Sequence, residues 1–455
     1  MTIEVRFEAF AEIGYSLLWE LDSNHCGFWI VFAVEFGYTL RMTISYTPRI
    51  LDSVLKQRIR HHPAILIVGP RAAGKTTTAE RLANTTIRLD RPGEATALRA
   101  DPDATIRDLE EPVLIDEWQI VPEVLAAVKR TVDQNPKPGR FLITGSVRGE
   151  LDSPTWPGTG RLLRIPMYGL TVSEIRESIP DVPLLDRLSE GYLSVLASPR
   201  KEQFDLRDYV EIAVRGGFPE PALRLPDSER GPWLDSYLDL LLSRDVEELS
   251  AHPESHLLRR YLEAYAANTA GVVSQHTLYS TAGIAKATGE RYEDLLQRLL
   301  IVETVPAWWT NRLKRLTKAP KRYLVDPSLA LAALRVDTMG LLRDGDLLGR
   351  ILDTLVMSQL RAELPRCDSR ARIFHLRQEQ GRHEVDIIIE YGGGRIIALE
   401  IKATSAPDLR DARHLVWLRE ELGPRFLGGA VLHTGSRTFD LEEKIFAAPI
   451  AAVWN

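Results

Sequence analysis

The segment Ala64-Ile65-Leu66-Ile67-Val68 is apolar at every position, and Pro112-Val113-Leu114-Ile115 and Arg140-Phe141-Leu142-Ile143 repeat the pattern downstream. Short runs without alternation fit strands buried on both faces, as in a covered parallel sheet. Segments with helical spacing stand between them: residues 51–60, and 123–133 with Val124, Leu125, Val128 and Val132 on one face. A further short strand, Thr86-Ile87-Arg88-Leu89-Asp90, is closed by the turn Arg91-Pro92-Gly93. Strand and helix alternate, so the pattern predicts an α/β sheet with any ligand at the carboxyl ends of its strands.

Beyond this region the periodicity changes. Residues 205–336 read mainly helical, with Gly216-Gly217-Phe218-Pro219 as an early break and long periodic stretches at 233–249 and 256–268. Two short helices, 279–288 and 290–300 with a turn at Gly289, precede strand-like pieces at 301–306 and 321–325, a helix-turn-helix and wing outline. Nearer the end, residues 383–390 and 395–402 flank Tyr391-Gly392-Gly393-Gly394 and predict a β-hairpin. The expected organisation is an N-terminal extension (1–41), an α/β domain (42–204), a helical region with a winged-helix-like part (205–338) and a C-terminal α/β module (339–455).

Chemistry enters at the end of the first strand. Gly69-Pro70-Arg71-Ala72-Ala73-Gly74-Lys75-Thr76 is a complete G-x-x-x-x-G-K-T loop between a strand and a helix expected over 76–82, followed by Thr77. Such a loop wraps backbone N–H groups around phosphate oxygens, so residues 69–77 form the expected nucleotide cradle. Lys75 is expected on the β and γ phosphates, and Thr76 on Mg²⁺. The strand ending Leu114-Ile115-Asp116-Glu117 places two acids where burial is costly unless a cation or a reacting water uses them. Asp116 is then a metal-shell residue and Glu117 the base for the attacking water, which makes the expected activity hydrolysis of ATP with Mg²⁺. Thr144, in Ile143-Thr144-Gly145-Ser146, is either a γ-phosphate sensor or an ordinary turn residue. Arg161, after the loop 153–160, is either a phosphate-sensing finger or a surface cation.

Composition narrows the setting. With 57 Lys and Arg against 63 Asp and Glu, the net charge of -6 means that contact with DNA or RNA would require a local patch. One exists: Arg312, Lys314, Arg315, Lys318, Lys321 and Arg322 lie without an acid among them, just after Trp308-Trp309. It reads either as a nucleic-acid contact or as a solvated loop. Cys26 and Cys367 are the only cysteines, which excludes a disulfide framework or thiolate zinc cage and fits a cytoplasmic protein. Glu4, Glu8 and Glu12 oppose a signal peptide, and the uncharged run 26–34 is too short to span a bilayer. Residues 1–41 are expected to be upstream of a true start at Met42.

The predicted hairpin brings Asp386 opposite Glu400 to within one residue, with Lys402 on the same face as Glu400. That is the D…E-x-K arrangement by which PD-(D/E)xK nucleases hold Mg²⁺. A salt-bridged, solvent-facing strand accounts for the same residues.

The order of motifs resembles prokaryotic AAA-type P-loop ATPases whose C-terminal part is the domain of unknown function 4143. The resemblance rests on residues 69–77, Leu89-Asp90, residues 114–119, residues 143–146, Gly160-Arg161, residues 216–220, Arg244-Asp245, Glu384-Val385-Asp386 and Glu400-Ile401-Lys402. It implies an AAA-like ATPase, a winged-helix linker and a restriction-endonuclease-like C-terminal fold. Nuclease-fold members usually carry a glutamate on the helix opening that last domain, where this chain offers Asp353. The resemblance thus gives three readings: an ATPase driving a nucleic-acid-related module, an ATP-dependent nuclease, or a nucleotide-dependent switch. The switch would bind a partner protein through an inactive nuclease fold, and Arg161 or Arg244 would serve a homo-oligomer by reaching a neighbour's phosphate.

Overall fold

A computed structural model describes residues 18–20, 29–31, 46–145, 160–191, 194–197, 203–245, 255–378 and 381–454. Ser146 and most of the loop before Arg161 lie outside them, as does nearly all of the N-terminal extension. Residues 1–48 and 49–455 are two separate compact units. In the first, strands β1 (Leu18–Glu20) and β2 (Trp29–Val31) pair antiparallel.

The second unit begins with the expected parallel sheet. Strands β3 (Ala64–Val68), β4 (Thr85–Arg88), β5 (Val113–Asp116), β6 (Phe141–Gly145) and β7 (Leu162–Pro166) lie in the order β4-β5-β6-β3-β7, every pair parallel. Ile65 and Ile67 of β3 join Leu51, Val54, Leu55, Leu114 and Leu142 in one buried cluster. Ala64, Leu66 and Val68 join Ile115, Ile143, Val124, Leu125 and Val128 in another. The strand's unbroken apolarity follows from cover on both faces. Helices Ile50–Arg58, Lys75–Glu80 and Val124–Gln134 confirm the elements read from the sequence, within two residues at each end.

The helical part corrects one boundary. The two short helices are Gln275–Thr281 and Lys286–Arg298, with the turn at Gly283 rather than Gly289. Gly283 has φ +67, which needs glycine's freedom, whereas Gly289 is inside the second helix, where a Cβ would lie 2.8 Å from Tyr279 Cβ. Strands β8 (Val302–Val305) and β9 (Lys321–Leu324) then form an antiparallel hairpin.

The helix Gly345–Glu363 leads into a six-stranded mixed sheet. Its strands are β10 (Arg372–Gln378), β11 (His383–Glu390), β12 (Ile396–Lys402), β13 (Phe426–His433), β14 (Phe439–Glu442) and β15 (Ile445–Pro449), in the order β10-β11-β12-β13-β15-β14. The predicted hairpin is present, with Ile387 paired to Leu399 and Ile389 to Ile397. One face of this sheet (Ile387, Ile389, Ile397, Leu399, Ile401) shares a continuous core with helices from Val172 onward and with Trp454. The other face packs Ile388, Ile396 and Ala398 under Leu415 and Leu418. No described helix is long and apolar enough to cross a membrane.

Candidate functional site: a phosphate loop and a closed carboxylate cluster

The loop after β3 turns through two left-handed residues, Ala72 (φ 57) and Gly74 (φ 91), before the helix Lys75–Glu80. Gly69 passes so close to β7 that a Cβ there would lie 1.9 Å from the Met167 carbonyl oxygen. Lys75 is buried and folds back over the loop, its Nζ donating to the carbonyls of Gly69 (3.0 Å) and Pro70 (2.8 Å). Burial lowers its pKa to about 8, against the opposing pull of Glu117 and Asp116.

Three of the residues read from separate motifs meet on one atom. Oδ1 of the buried Asp116 accepts from Thr76 Oγ1 at 2.8 Å and also from Thr144 Oγ1, because β5 and β6 are neighbours and both end beside the loop. Glu117 stands next to them in a left-handed conformation (φ 55), uncommon for a residue with a side chain, and accepts a hydrogen bond from Gln119 Nε2. Ammonium, hydroxyl and carboxylate groups thus converge at the carboxyl end of the sheet, a donor set suited to a polyphosphate and a hard divalent cation.

Arg161 does not join them. It lies just ahead of β7, at the amino end of the parallel sheet, and is paired with Asp133. A five-residue strand separates that end from the loop by roughly 15 Å, so in this chain Arg161 is a surface cation relative to its own loop. The side chain of Arg244 lies outside the described residues.

A residue the motifs did not reveal holds the loop in place. Arg49, 6% exposed, donates from Nη1 to the Ala73 carbonyl (2.8 Å) and from Nη2 to the Tyr168 carbonyl (2.7 Å), while its Nε pairs with Glu174 (2.9 Å). Its only signal in the sequence is an arginine between Pro48 and the first helix. The Gly216-Gly217 break packs nearby, with the Gly217 carbonyl accepting from Leu170 N at 2.5 Å and Gly217 N donating to Asp326. Tyr237 Oη donates to the Arg71 carbonyl, so the helical region touches the loop directly.

The second constellation also assembles, around an unforeseen member. Asp386 Oδ2 accepts from Ile401 N at 3.0 Å, and Lys402 Nζ donates to Glu400 Oε2 at 3.2 Å. Asp353 approaches from the helix Gly345–Glu363, and between the acids sits Lys321 of β9. The Lys321 Nζ is 2.5 Å from Asp353 Oδ2, 3.2 Å from Asp386 Oδ1 and 3.3 Å from the Asp386 carbonyl. Tyr323 Oη adds a bond to Asp353 Oδ1 (2.9 Å). Burial works against the charge on Lys321, but Asp353 and Asp386 outweigh it and hold its pKa well above the ordinary lysine value. Burial, then the Asp386 carboxylate, pushes Glu400 well above the usual range. Asp386 and Glu400, the expected metal ligands, stand beside Lys321 and Lys402 respectively. Each cation is an ammonium supplied by the chain, and no group of three or more acids, histidines or cysteines among the described residues is arranged to hold a metal.

Three of the six cations in the basic stretch face inward. Lys321 is taken up by these acids, Arg315 makes two 2.8 Å bonds to Glu390, and Arg322 pairs with Glu293, all three with little exposed side chain. Cations buried in internal pairs cannot meet a phosphate backbone. Lys318 lies 4.8 Å over the Trp309 ring, and the side chains of Arg312 and Lys314 are outside the described residues.

Three family models match successive parts of the chain. Residues 61–176 match the family described as AAA domain, 206–340 a domain of unknown function (DUF8612), and 348–453 a domain of unknown function (DUF4143). The chain thus carries an AAA-type ATPase domain, which supports ATP binding and ATPase activity in general. Among curated proteins it is 26% identical over 400 residues to the uncharacterized proteins Rv2008c of Mycobacterium tuberculosis and Mb2031c of Mycobacterium bovis. The alignments cover 87% of this chain and 82% of each relative. Similar solved structures include a Walker-type ATPase of Pyrococcus abyssi (14% identity, 63% of this chain and 94% of that one, TM-score 0.37). A RuvB mutant of Thermotoga maritima is another (18% identity, 63% and 92%, TM-score 0.28). Both scores are low.

Proposed function

We propose that the chain is a Mg²⁺-dependent ATPase that uses nucleotide to control the arrangement of its C-terminal sheet. The observation that carries this reading is the convergence of Thr76 and Thr144 on Oδ1 of Asp116, beside Lys75 and Glu117. The cradle fits the nucleotide by its chemistry: at Gly69 there is room for backbone and none for a side chain, and the hydroxyl and carboxylate side by side are hard oxygen ligands. Thr76 and Asp116 would hold Mg²⁺, which when bound neutralises charge on the phosphates.

The residues then divide the work. Lys75 exchanges its two carbonyl acceptors for phosphate oxygens. Backbone N–H groups of residues 69–77 orient the polyphosphate. Glu117, steadied by Gln119, takes the proton of the attacking water, and Thr144 reads the γ-phosphate through its hydroxyl. Nucleotide state has a route outward through Tyr237 on the Arg71 carbonyl and Arg49 on the Ala73 carbonyl.

Of the readings of the C-terminal part, a nucleotide-controlled partner-binding module is better supported than a nuclease, because Lys321 already pairs with Asp353 and Asp386, two of the acids that a nuclease would give to metal. Two assays test the pair of statements. ATP turnover by the full chain, abolished by Lys75→Ala, supports the ATPase; a preparation that binds no ATP overturns it. Mg²⁺-dependent nicking of supercoiled plasmid, lost on Asp386→Ala, would overturn the preference against a nuclease.

A further inference from the structure

The position of Lys321 has a consequence for access to the acids around it. Its ammonium touches three oxygens from two separate elements, Asp353 Oδ2, Asp386 Oδ1 and the Asp386 carbonyl, as a bound cation would. The lysine side chain is 3% exposed, so it reaches the cluster from the protein side, whereas Asp386 and Lys402 keep 21% and 34% of their side chains exposed and mark the solvent side. Glu400 is buried beside Asp386, with Lys402 on its Oε2, so the cluster already holds two lysine ammonium groups.

We propose that Lys321 is a tethered counter-ion that closes the Asp353, Asp386 and Glu400 cluster to hard divalent cations, so that the β8–β9 hairpin governs whether a metal ion can enter. A buried carboxylate and a partly exposed one facing each other need a cation, and the ammonium meets that need without the dehydration that Mg²⁺ resists. A divalent ion seeking the same oxygens meets a positive charge at their centre. The carrier of the plug is a two-stranded ribbon whose other cation, Arg322, is fastened to Glu293 of the helix Lys286–Arg298, so movement of that helix and hairpin together would withdraw Lys321.

The test uses the full chain without nucleotide, so it is independent of the ATPase reading. Free Mn²⁺ is followed by electron paramagnetic resonance during titration of the wild type, Lys321→Met and Lys321→Gln, each with and without Asp386→Asn, with circular dichroism to establish folding. The wild type is expected to show no Asp386-dependent Mn²⁺ binding, and either folded Lys321 variant to gain about one Asp386-dependent ion per chain. The proposal is overturned if the wild type binds Mn²⁺ through Asp386, or if a folded Lys321 variant gains none. Should neither lysine variant fold, the wild-type titration decides: binding lost on Asp386→Asn overturns the plug, and its absence up to millimolar Mn²⁺ supports it.

Discussion

Arg49 and Glu174 are 125 positions apart and form a 2.9 Å ion pair with side chains only 5% and 3% exposed. The other end of the guanidinium holds the carbonyl of Ala73 inside the phosphate loop, so one fork ties the loop to the helix that follows β7. Removing one partner of a buried pair strands the other charge, at a cost of about 3–5 kcal/mol. Arg49→Met is therefore expected to lower stability by that order in urea unfolding and to weaken ATP binding. Arg49→Lys should restore little, because a single ammonium cannot serve three directions. Unchanged nucleotide affinity in a folded Arg49→Lys protein would remove the positioning role.

Lys75 and Glu117 should separate binding from turnover. Lys75→Ala deletes the cation of the loop and is expected to lose ATP binding in a fluorescent-nucleotide titration. Glu117→Gln keeps the shape of the site and is expected to bind ATP normally while turnover falls by about 10²-fold or more. Equal loss of binding in both variants would mean that Glu117 holds the loop and is not the base.

Glu363 supplies a pH dependence. Its carboxyl is 6% exposed and accepts from the backbone N–H groups of Leu184 and Leu185 at 3.3 Å, and burial pushes its pKa up to about 7. A raised carboxyl pKa means that the folded state holds the proton more tightly than the unfolded chain. Its contribution is complete below about pH 4.5 and is lost as pH rises through 7. The amount is on the order of 3 kcal/mol. Glu363→Gln should remove this slope, so that variant and wild type differ more at pH 8 than at pH 5 in denaturant melts. Parallel pH curves would show that Glu363 titrates normally.

Gly217 tests the tightness of the contact behind the loop. A Cβ there would lie 2.3 Å from the Leu170 carbonyl oxygen, and both partners are backbone, so neither can swing aside. Gly217→Ala is expected to cost about 1–3 kcal/mol or more by thermal unfolding. A melting temperature equal to wild type would mean that the Gly169–Gly217 crossing is slack.

How much of this was readable in advance depended on whether the information was local. The loop around Lys75, the strand ending in Asp116 and the hairpin joining Asp386 to Glu400 each lie within a few residues of a turn signal, so period and motif sufficed. Register alone put Asp386 and Glu400 together. Arg49 and Lys321 could not be found that way, since each is defined by partners more than twenty positions distant. Lys321 reads as part of a basic loop because six cations without an acid look solvated; the partners Glu293, Asp353, Asp386 and Glu390 come from other elements. Gly289 reads as a turn because glycine punctuates, whereas in the fold it admits the Tyr279 side chain against a helix.

The core shared by Val172, Tyr209, Ile397 and Trp454 bears on how this gene tolerates damage. A premature stop after 402 would delete β13 and β15 along with Trp454, and would strip the apolar cover from Tyr209 and Phe204, which meet that indole edge-on beneath the helical region. Lesions at the far 3′ end should then behave as loss of the phosphate-loop activity as well, through misfolding and turnover of the polypeptide, although every nucleotide-site residue would still be encoded.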